Sequence, residues 1–130
     1  VNQALAAIHL LAIGEAFALG VRSGADSQVL YDVIKTSSGY SRMMDLRLAG
    51  FLFDNSFKPG FRLDLMKKDV NLAVDSAQAL GLPLAFTGLA SQVFAAASTS
   101  GRGDDDFSAA AAFLAGLAGA TLEPGQKGNS

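Results

Sequence analysis

The sequence predicts an all-α domain with the architecture of an irregular helical bundle. Apolar residues recur at helical spacing along most of the chain, and no segment shows the period-two alternation of a half-buried strand. Half of the 130 residues are hydrophobic and only 17% are charged. A chain of this length and composition is expected to form one domain with a sizeable core. We place that domain at residues 1–121 and a flexible polar tail at residues 122–130.

The first predicted helix covers residues 3–22, and Gly24 supplies its stop. It is apolar on almost every side, so we expect every side to be covered. Glu15 lies well inside this segment, and a charge at that position costs ~3 kcal/mol in a membrane span. We therefore predict a buried helix without a membrane partner. A partner chain is expected to cover apolar residues of this helix such as Leu11, Phe17 or Val21.

Five further helices follow from the apolar spacing. They are predicted at about 27–35, from about 41 onwards, at about 61–80, at about 87–100 and at about 107–118. Asp26 or Ser27 is expected to cap the second helix, and a carboxylate of the Asp104–Asp106 run the last one. The fourth helix follows the turn signal Pro59-Gly60 and ends at Gly81-Leu82-Pro83.

Charge and residue counts exclude several classes of function. The net charge is -2 and no basic patch is present, so we expect no nucleic-acid partner. Without cysteine there is no thiolate metal site, and a cytoplasmic setting fits. His9 is the only histidine, so no His-based metal site is expected; we predict a packing role for it. Glu15 is expected to be a buried, hydrogen-bonded acid.

Lys68 is the residue that most needs an explanation, because the fourth helix has two apolar faces. One face is an ordinary core stripe, formed by Leu63, Met66, Val70, Ala73, Val74 and Ala77. On the opposite face Lys68 lies among Phe61, Leu65 and Leu72. Either its stem covers apolar surface, with Asp64 as a tether one turn upstream, or an anionic or carbonyl group meets it there. The pattern alone leaves both readings open.

The segment Phe57–Ala73 resembles the F-x-P-G-F-x-x-D-L-x-x-K-D-x-x-L-A signature of the β-hydroxyacid dehydrogenases, the 3-hydroxyisobutyrate dehydrogenase family. Other segments across residues 1–118 are similar to the same family: Asn2-Gln3, Ile13–Ala16, Gly81–Leu84 and Gly101–Ala109. The resemblance implies an NAD(P)-dependent oxidoreductase that moves a hydride between a small hydroxy acid and nicotinamide, without a metal. Within the family, the segments 8–18 and 121–125 look most similar to the L-threonate dehydrogenases.

The resemblance also implies roles for five residues. Asn2 and Gln3 would orient substrate, one helical turn after a general acid/base lysine in a K-x-x-N-[NQ] pattern; that lysine would fall upstream of Val1. Lys68 would reach the nicotinamide end of the cofactor, with Phe61 packed beside it and Asp69 holding the arrangement. Purely structural readings remain for each of them: a helix-terminal amide, a core aromatic side chain and a surface acid.

The family's two-domain plan leads to an expectation about what this chain lacks. No predicted strand is followed by G-x-G-x-x-G, so we expect the N-terminal Rossmann domain to be absent and NAD or NADP to be bound mainly by it. This chain would then be a C-terminal domain of the 6-phosphogluconate dehydrogenase-like type. It would close the active-site cleft and form the subunit interface of a dimer or tetramer. Alone it would be inactive.

Two other readings remain open at this stage. One is a helical interaction or dimerisation module without a catalytic role, in which Lys68 merely covers apolar surface. The other is a glyoxylate or succinic semialdehyde reductase of the same family, which differs in its substrate and its preference for NADP.

Overall fold

The fold is a bundle in which the other helices surround the first one. The structure is a computed structural model that describes residues 1–126. Its helices are α1 (Asn2–Arg22), α2 (Ser27–Ile34), α3 (Arg42–Arg47), α4 (Leu63–Leu80), α5 (Ala85–Ala97) and α6 (Ala109–Leu117). Kinked turns at Leu48–Leu52 and Ser98–Arg102 follow α3 and α5, with non-helical backbone angles at Gly50 and Gly101. Within residues 1–126 there is no β-strand, only an isolated bridge between Arg62 and Asp106.

Helix α1 is the centre of the bundle and packs against each of the other five α-helices. Leu11, Phe17 and Val21 are buried within this chain at 8%, 1% and 1% exposure. The prediction that a partner chain covers them is therefore wrong, because helices of the same chain already do so. The opposite side of α1 faces solvent, with Leu5 53% and Leu19 70% exposed. Within residues 1–126, α1 alone is long and apolar enough to cross a membrane.

The close crossing of α1 and α6 depends on Gly14, which has no side chain. A Cβ atom on Gly14 would lie 2.9 Å from both the Cα and the carbonyl oxygen of Ala111. Three alanines of α6, Ala109–Ala111, are fully buried there. Small residues on both helices therefore let the two backbones approach closely.

We expect Gly14→Ala to destabilise the chain by about 1–3 kcal/mol, because backbone atoms cannot move aside as a flexible side chain would. The matched control is Gly88→Ala on α5, where an added Cβ meets nothing within 4 Å. That substitution should stabilise the chain by about 0.5–1 kcal/mol through helix propensity. Urea denaturation of both variants measures the difference, and equal shifts in the same direction would contradict the close approach.

Most differences between the predicted and the observed helices lie at the helix ends. Asp26, not Ser27, caps α2: its carboxylate accepts from the backbone N–H groups of Gln28 and Val29. Helix α4 starts at Leu63, two residues later than predicted, and ends at Gly81 with φ +69°. Helices α5 and α6 lie at Ala85–Ala97 and Ala109–Leu117, against 87–100 and 107–118 predicted.

The predicted tail at 122–130 begins inside the packed part of the chain. Leu122 is buried, and the backbone N–H of Gly125 donates to the Asp26 carboxylate at 2.6 Å. This bond is the main cause of the lowered pKa of Asp26. Residues 127–130 lie outside the described residues.

Candidate functional site

A buried carboxylate holds the turn from which α4 starts. Asp106 is fully buried and accepts from the backbone N–H groups of Gly60 and Phe61 at 3.1 and 3.0 Å. Its other oxygen accepts from Arg47 Nε at 3.1 Å and from the backbone N–H of Ser108 at 3.0 Å. One carboxylate of the Asp104–Asp106 run was predicted to cap the last helix, but the N-cap of α6 is Ser108, without a side-chain cap hydrogen bond. Asp106 binds Ser108 just before that helix and also the Pro59-Gly60 turn, 46 residues away along the chain.

The partner cation of Asp106 is itself held in place by aromatic rings. The Arg47 guanidinium carbon lies 4.7 Å from the ring centroid of Phe51 and 4.6 Å from that of Phe107. Such stacking stabilises a partly desolvated guanidinium, and the fork geometry directs its N–H groups at the carboxylate. Neither Arg47 nor Asp106 was predicted as a key residue. The only sequence signal was that Asp106 ends an acidic run immediately before an apolar segment.

The segments 57–73 and 101–109 therefore form one structural unit. The backbone N–H groups of Leu63 and Asp64 have no acceptor within α4, because they lie in its first turn. They donate instead to the carbonyl oxygens of Asp105 and Gly103 at 2.8 and 3.0 Å. The carboxylate of Asp64 would clash with any Cβ on Gly103, because it lies within 2.4–2.8 Å of that position. The 101–108 turn thus fixes where α4 begins and how it is rotated.

A chain of side-chain hydrogen bonds joins the start of α1 to the middle of α4. Asn2 Nδ2 donates to Gln3 Oε1 at 3.0 Å, and Gln3 Nε2 donates to Asp69 Oδ2 at 3.2 Å. The last two residues are 66 positions apart in sequence. The fold therefore brings together three of the five predicted site residues, and it places Lys68 next to them along α4.

Lys68 is exposed and takes part in no hydrogen bond or ion pair within residues 1–126. Asp64 does not tether it: that carboxylate accepts from Ser98 Oγ at 2.6 Å and lies 3.9 Å from Lys67 Nζ. Leu65 and Leu72 flank it at 40% and 54% exposure. Leu65 and Leu72 thus form an uncovered apolar face of α4 around the ammonium group of Lys68.

Phe61 lies apart from this cluster in its side-chain contacts. Its ring packs edge-on against Phe107, with centroids 6.1 Å apart and planes at 84°. Its backbone N–H donates to the Asp106 carboxylate, and its carbonyl oxygen accepts from the backbone N–H of Phe107 at 2.8 Å. The half-buried ring is thus explained by packing, and its predicted place beside the cofactor stays a prediction.

Asn2 also lies at one end of an open groove of about 770 Å³ along α1. The opposite wall is the segment 38–44, which includes Tyr40 and Arg42. Neither Phe61 nor Lys68 lines this groove, so a single cleft containing all the predicted residues is not formed by residues 1–126. His9 lines the groove as an exposed residue, which contradicts its predicted packing role, and Glu15 is exposed rather than buried.

The carboxylate of Asp45 accepts hydrogen bonds from two tyrosines at the opposite wall of the groove. The hydroxyl groups of Tyr31 and Tyr40 both donate to Asp45, the first at 2.6 Å. These hydrogen bonds lower the pKa of Asp45 and raise the pKa values of both tyrosines. Asp45 is therefore held as an anion by the two hydroxyl groups. Among residues 1–126 no three His, Cys, Asp or Glu side chains form a metal-binding group.

Comparison with known proteins identifies the family. The sequence model described as "NAD-binding of NADP-dependent 3-hydroxyisobutyrate dehydrogenase" matches residues 1–114. The chain belongs to the β-hydroxyacid dehydrogenase family. It is 38% identical to L-threonate dehydrogenase of Cupriavidus necator, over 90% of this chain and 39% of that protein. It is 31% identical to 2-(hydroxymethyl)glutarate dehydrogenase of Eubacterium barkeri, over 97% of this chain and 42% of that protein.

Solved structures of β-hydroxyacid dehydrogenases agree with this assignment. A 3-hydroxyisobutyrate dehydrogenase from Salmonella typhimurium superposes with a TM-score of 0.80 at 36% identity, over 85% of this chain and 38% of that chain. The Mycobacterium tuberculosis 3-hydroxyisobutyrate dehydrogenase, solved with L-serine, gives 0.80 at 32% identity, over 87% and 40%. The chain thus spans about two fifths of the length of these relatives.

The family match overturns one prediction about fold class. We expected the NAD-binding part of the enzyme, as an N-terminal Rossmann domain, to be absent, and the cofactor to be bound mainly by that missing part. The NAD-binding family model instead matches residues 1–114 of this chain. The prediction assumed that NAD binding requires a glycine-rich strand–turn–helix motif. That motif marks only the site that binds the pyrophosphate of the cofactor. Helices that contribute to NAD binding carry no such motif.

Proposed function

We propose that this chain supplies the substrate-orienting and nicotinamide-proximal side chains of an NAD(P)-dependent hydroxyacid dehydrogenase. The observation that carries the proposal is the hydrogen-bond chain from Asn2 through Gln3 to Asp69, which joins the start of α1 to α4 at the residue next to Lys68. The ammonium group of Lys68 has no partner within residues 1–126. The relatives named above act as dehydrogenases of small hydroxy acids. Their chemistry is hydride transfer to or from a nicotinamide, which the cofactor supplies.

Each side chain has a distinct role in this proposal. The exposed amide of Asn2 donates to a hydroxyl or carboxylate oxygen of the substrate. Gln3 and Asp69 hold that amide in position across the α1–α4 contact. Lys68 contributes a positive charge near the nicotinamide end of the cofactor, and Phe61 borders the same region. The general acid/base is the lysine of the K-x-x-N-[NQ] pattern, which precedes Asn2 by three positions and therefore lies outside residues 1–130.

The substrate we propose is a small hydroxy acid of the L-threonate or 3-hydroxyisobutyrate type. Turnover then needs the part of the relatives' length that this chain does not span, so the 130-residue chain alone is expected to be inactive. In the assembled enzyme this domain forms one wall of the active-site cleft and part of the subunit interface of a homodimer or homotetramer.

A substrate panel on a protein that carries this chain and spans the relatives' length tests the proposal. L-Threonate, 3-hydroxyisobutyrate and 2-(hydroxymethyl)glutarate are assayed with NAD and with NADP, and glyoxylate and succinic semialdehyde are assayed with the reduced cofactors. We expect turnover of at least one hydroxy acid. Turnover of the two aldehydes alone would favour a reductase, and no turnover of any member would favour a helical interaction module.

Asn2→Ala provides the residue-level test. We expect kcat/KM for the hydroxy acid to fall by about 10²-fold, the effect of removing one well-placed donor from a reacting centre. Stability should change by less than about 0.5 kcal/mol because the side chain is exposed. Gln92→Ala, which removes an exposed amide from α5, is the matched control. Equal kinetics in the two variants would remove Asn2 from the site.

A further inference from the structure

The groove along α1 has room for more than the end of a substrate that Asn2 would hold. Helix α1 lines it from Asn2 past His9 to Ala16. Its volume of about 770 Å³ falls within the ~300–1,000 Å³ typical of ligand pockets. A hydroxy acid as small as 3-hydroxyisobutyrate, bound at Asn2, would leave most of this space to water. A substrate that fills more of the groove has a longer side chain.

The walls of this groove favour a negatively charged ligand. Among the described residues that line it, none is an aspartate or a glutamate. Two side chains there can carry a positive charge, His9 on α1 and Arg42 on the opposite wall. The hydroxyl groups of Ser38 and Ser41 add hydrogen-bond donors. The chain as a whole has a net charge of -2, so the groove differs from the rest of the molecule in its charge.

Arg42 is a cation whose charge the fold leaves available to a ligand. It is exposed, and it forms no hydrogen bond or ion pair within residues 1–126. Asp45 lies three positions further along α3, but its carboxylate accepts from the hydroxyl groups of Tyr31 and Tyr40. Those two hydroxyl groups are also the main cause of the lowered pKa of Asp45, and Arg42 contributes less. The tyrosines thus take the place that the guanidinium group would otherwise occupy.

Helix stability does not explain an arginine at this position. Helix α3 begins at Arg42, and a positive charge in the first turn of a helix is disfavoured by the helix dipole. The planar guanidinium group matches a carboxylate, with which it can form two parallel hydrogen bonds. A cation that does not stabilise its own helix and that lines a groove without acids is therefore suited to bind a carboxylate.

We propose that Arg42 binds a second carboxylate of the substrate, so that this chain selects hydroxy acids with two acidic groups. The inference rests on the proposed function, because it places the reacting end of the substrate at Asn2. That end is the same hydroxymethyl-bearing acid as in 3-hydroxyisobutyrate. The side chain of the substrate extends from it along the groove and ends in a carboxylate at Arg42. Asn2 then orients the reacting group, and Arg42 determines which side chain is accepted.

Two substrates that differ only in this side chain test the proposal. 3-Hydroxyisobutyrate carries a methyl group where 2-(hydroxymethyl)glutarate carries a chain that ends in a second carboxylate. Both are assayed with a protein that carries this chain and spans the relatives' length. We expect kcat/KM to be about tenfold or more higher for 2-(hydroxymethyl)glutarate, because a site that pairs with a charged group discriminates against the analogue without it.

Substitutions of Arg42 separate recognition of charge from a structural role. For Arg42→Gln we expect kcat/KM for 2-(hydroxymethyl)glutarate to fall about tenfold more than kcat/KM for 3-hydroxyisobutyrate, the effect of losing a charge-assisted hydrogen bond. Arg42→Lys should retain part of the preference, and Arg42→Glu should lose more of it than Arg42→Gln because like charges repel. The rate with 3-hydroxyisobutyrate also reports whether each variant folds.

Arg22→Gln is the matched control, because it removes the same charge from the exposed end of α1 and Arg22 does not line the groove. It should leave the ratio of the two kcat/KM values as in the wild type. Equal losses for both substrates in Arg42→Gln, or the same ratio in the two Arg→Gln variants, overturn the proposal. A wild type that prefers 3-hydroxyisobutyrate, or that turns over L-threonate alone, overturns it too and leaves the dehydrogenase function intact. No turnover of any hydroxy acid would refute the proposed function itself.

Discussion

Replacing Asp106 by asparagine is expected to destabilise the chain by about 3–5 kcal/mol, the cost of removing one partner from a buried ion pair. The Arg47 guanidinium, whose side chain is 15% exposed, would lose its counter-charge. An amide would also turn an N–H group toward donors that now share the carboxylate, among them Gly60 and Phe61. Since whole domains are stable by only about 5–15 kcal/mol, this is the largest stability effect we expect here.

Urea denaturation of Asp106→Asn measures the loss, and Asp104→Asn is its control. The Asp104 side chain is 92% exposed and lies 3.7 Å from Arg62, so its amide variant should change stability by less than about 0.5 kcal/mol. The two variants make the same chemical change two positions apart. A similar small shift in both would show that the Pro59-Gly60 turn is held by its own sequence and not by Asp106.

Replacing Lys68 by alanine should have the largest effect on activity. In a protein that spans the relatives' length we expect kcat/KM for the cofactor to fall by about 10²-fold, because the substitution removes a positive charge that no ion pair or hydrogen bond within residues 1–126 engages. Thermal unfolding should be unchanged, since the side chain is exposed and has no partner within residues 1–126. Steady-state kinetics with NAD and NADP, together with the unfolding midpoint, measure both effects.

The neighbouring lysine provides a sharp comparison for Lys68. Lys67 occupies the same helix but lies 3.4 Å from Ser98 Oγ and 3.9 Å from Asp64, so Lys67→Ala removes a structural contact only. Lys68→Arg keeps the charge and should retain more activity than Lys68→Ala. If Lys67→Ala and Lys68→Ala reduce kcat/KM equally, the effect comes from the net charge of α4 and the site assignment fails.

Periodicity alone predicted the features that depend on one helix. The core stripe of α4 was predicted from spacing, and Leu63, Met66, Val70 and Ala77 are indeed buried. Of the second apolar face predicted around Lys68, Leu65 and Leu72 are exposed on α4 as predicted, whereas Phe61 precedes the helix and packs against Phe107. Such patterns are readable because neighbours three and four residues apart share a face whatever the rest of the chain does.

The errors arose where a residue's role depends on distant parts of the chain. Helix α1 is apolar on nearly every side, so its sequence does not say which side the other helices cover. His9 and Glu15 were consequently assigned to the interior and lie outside. The Asp104–Asp106 run was predicted to supply only a local cap, because the approach of Gly60 to Asp106 from 46 positions earlier leaves no local signature. The link between Gln3 and Asp69 was hidden for the same reason.

The distance between Gly60 and Asp106 has a consequence for the order in which this chain can fold during synthesis. At ~5–20 residues per second, Asp106 leaves the peptidyl-transferase centre about 2–9 s after Gly60. Until then the turn at Pro59-Gly60 lacks the acceptor for its N–H groups, and the start of α4 lacks the carbonyl groups of Gly103 and Asp105. The nascent chain therefore carries Lys68 and Asp69 on a helix whose origin is not yet set. A ribosome-bound chain stalled before residue 103 emerges should leave the amide hydrogens of Leu63 and Asp64 exchanging freely, and one stalled after residue 108 has emerged should protect them.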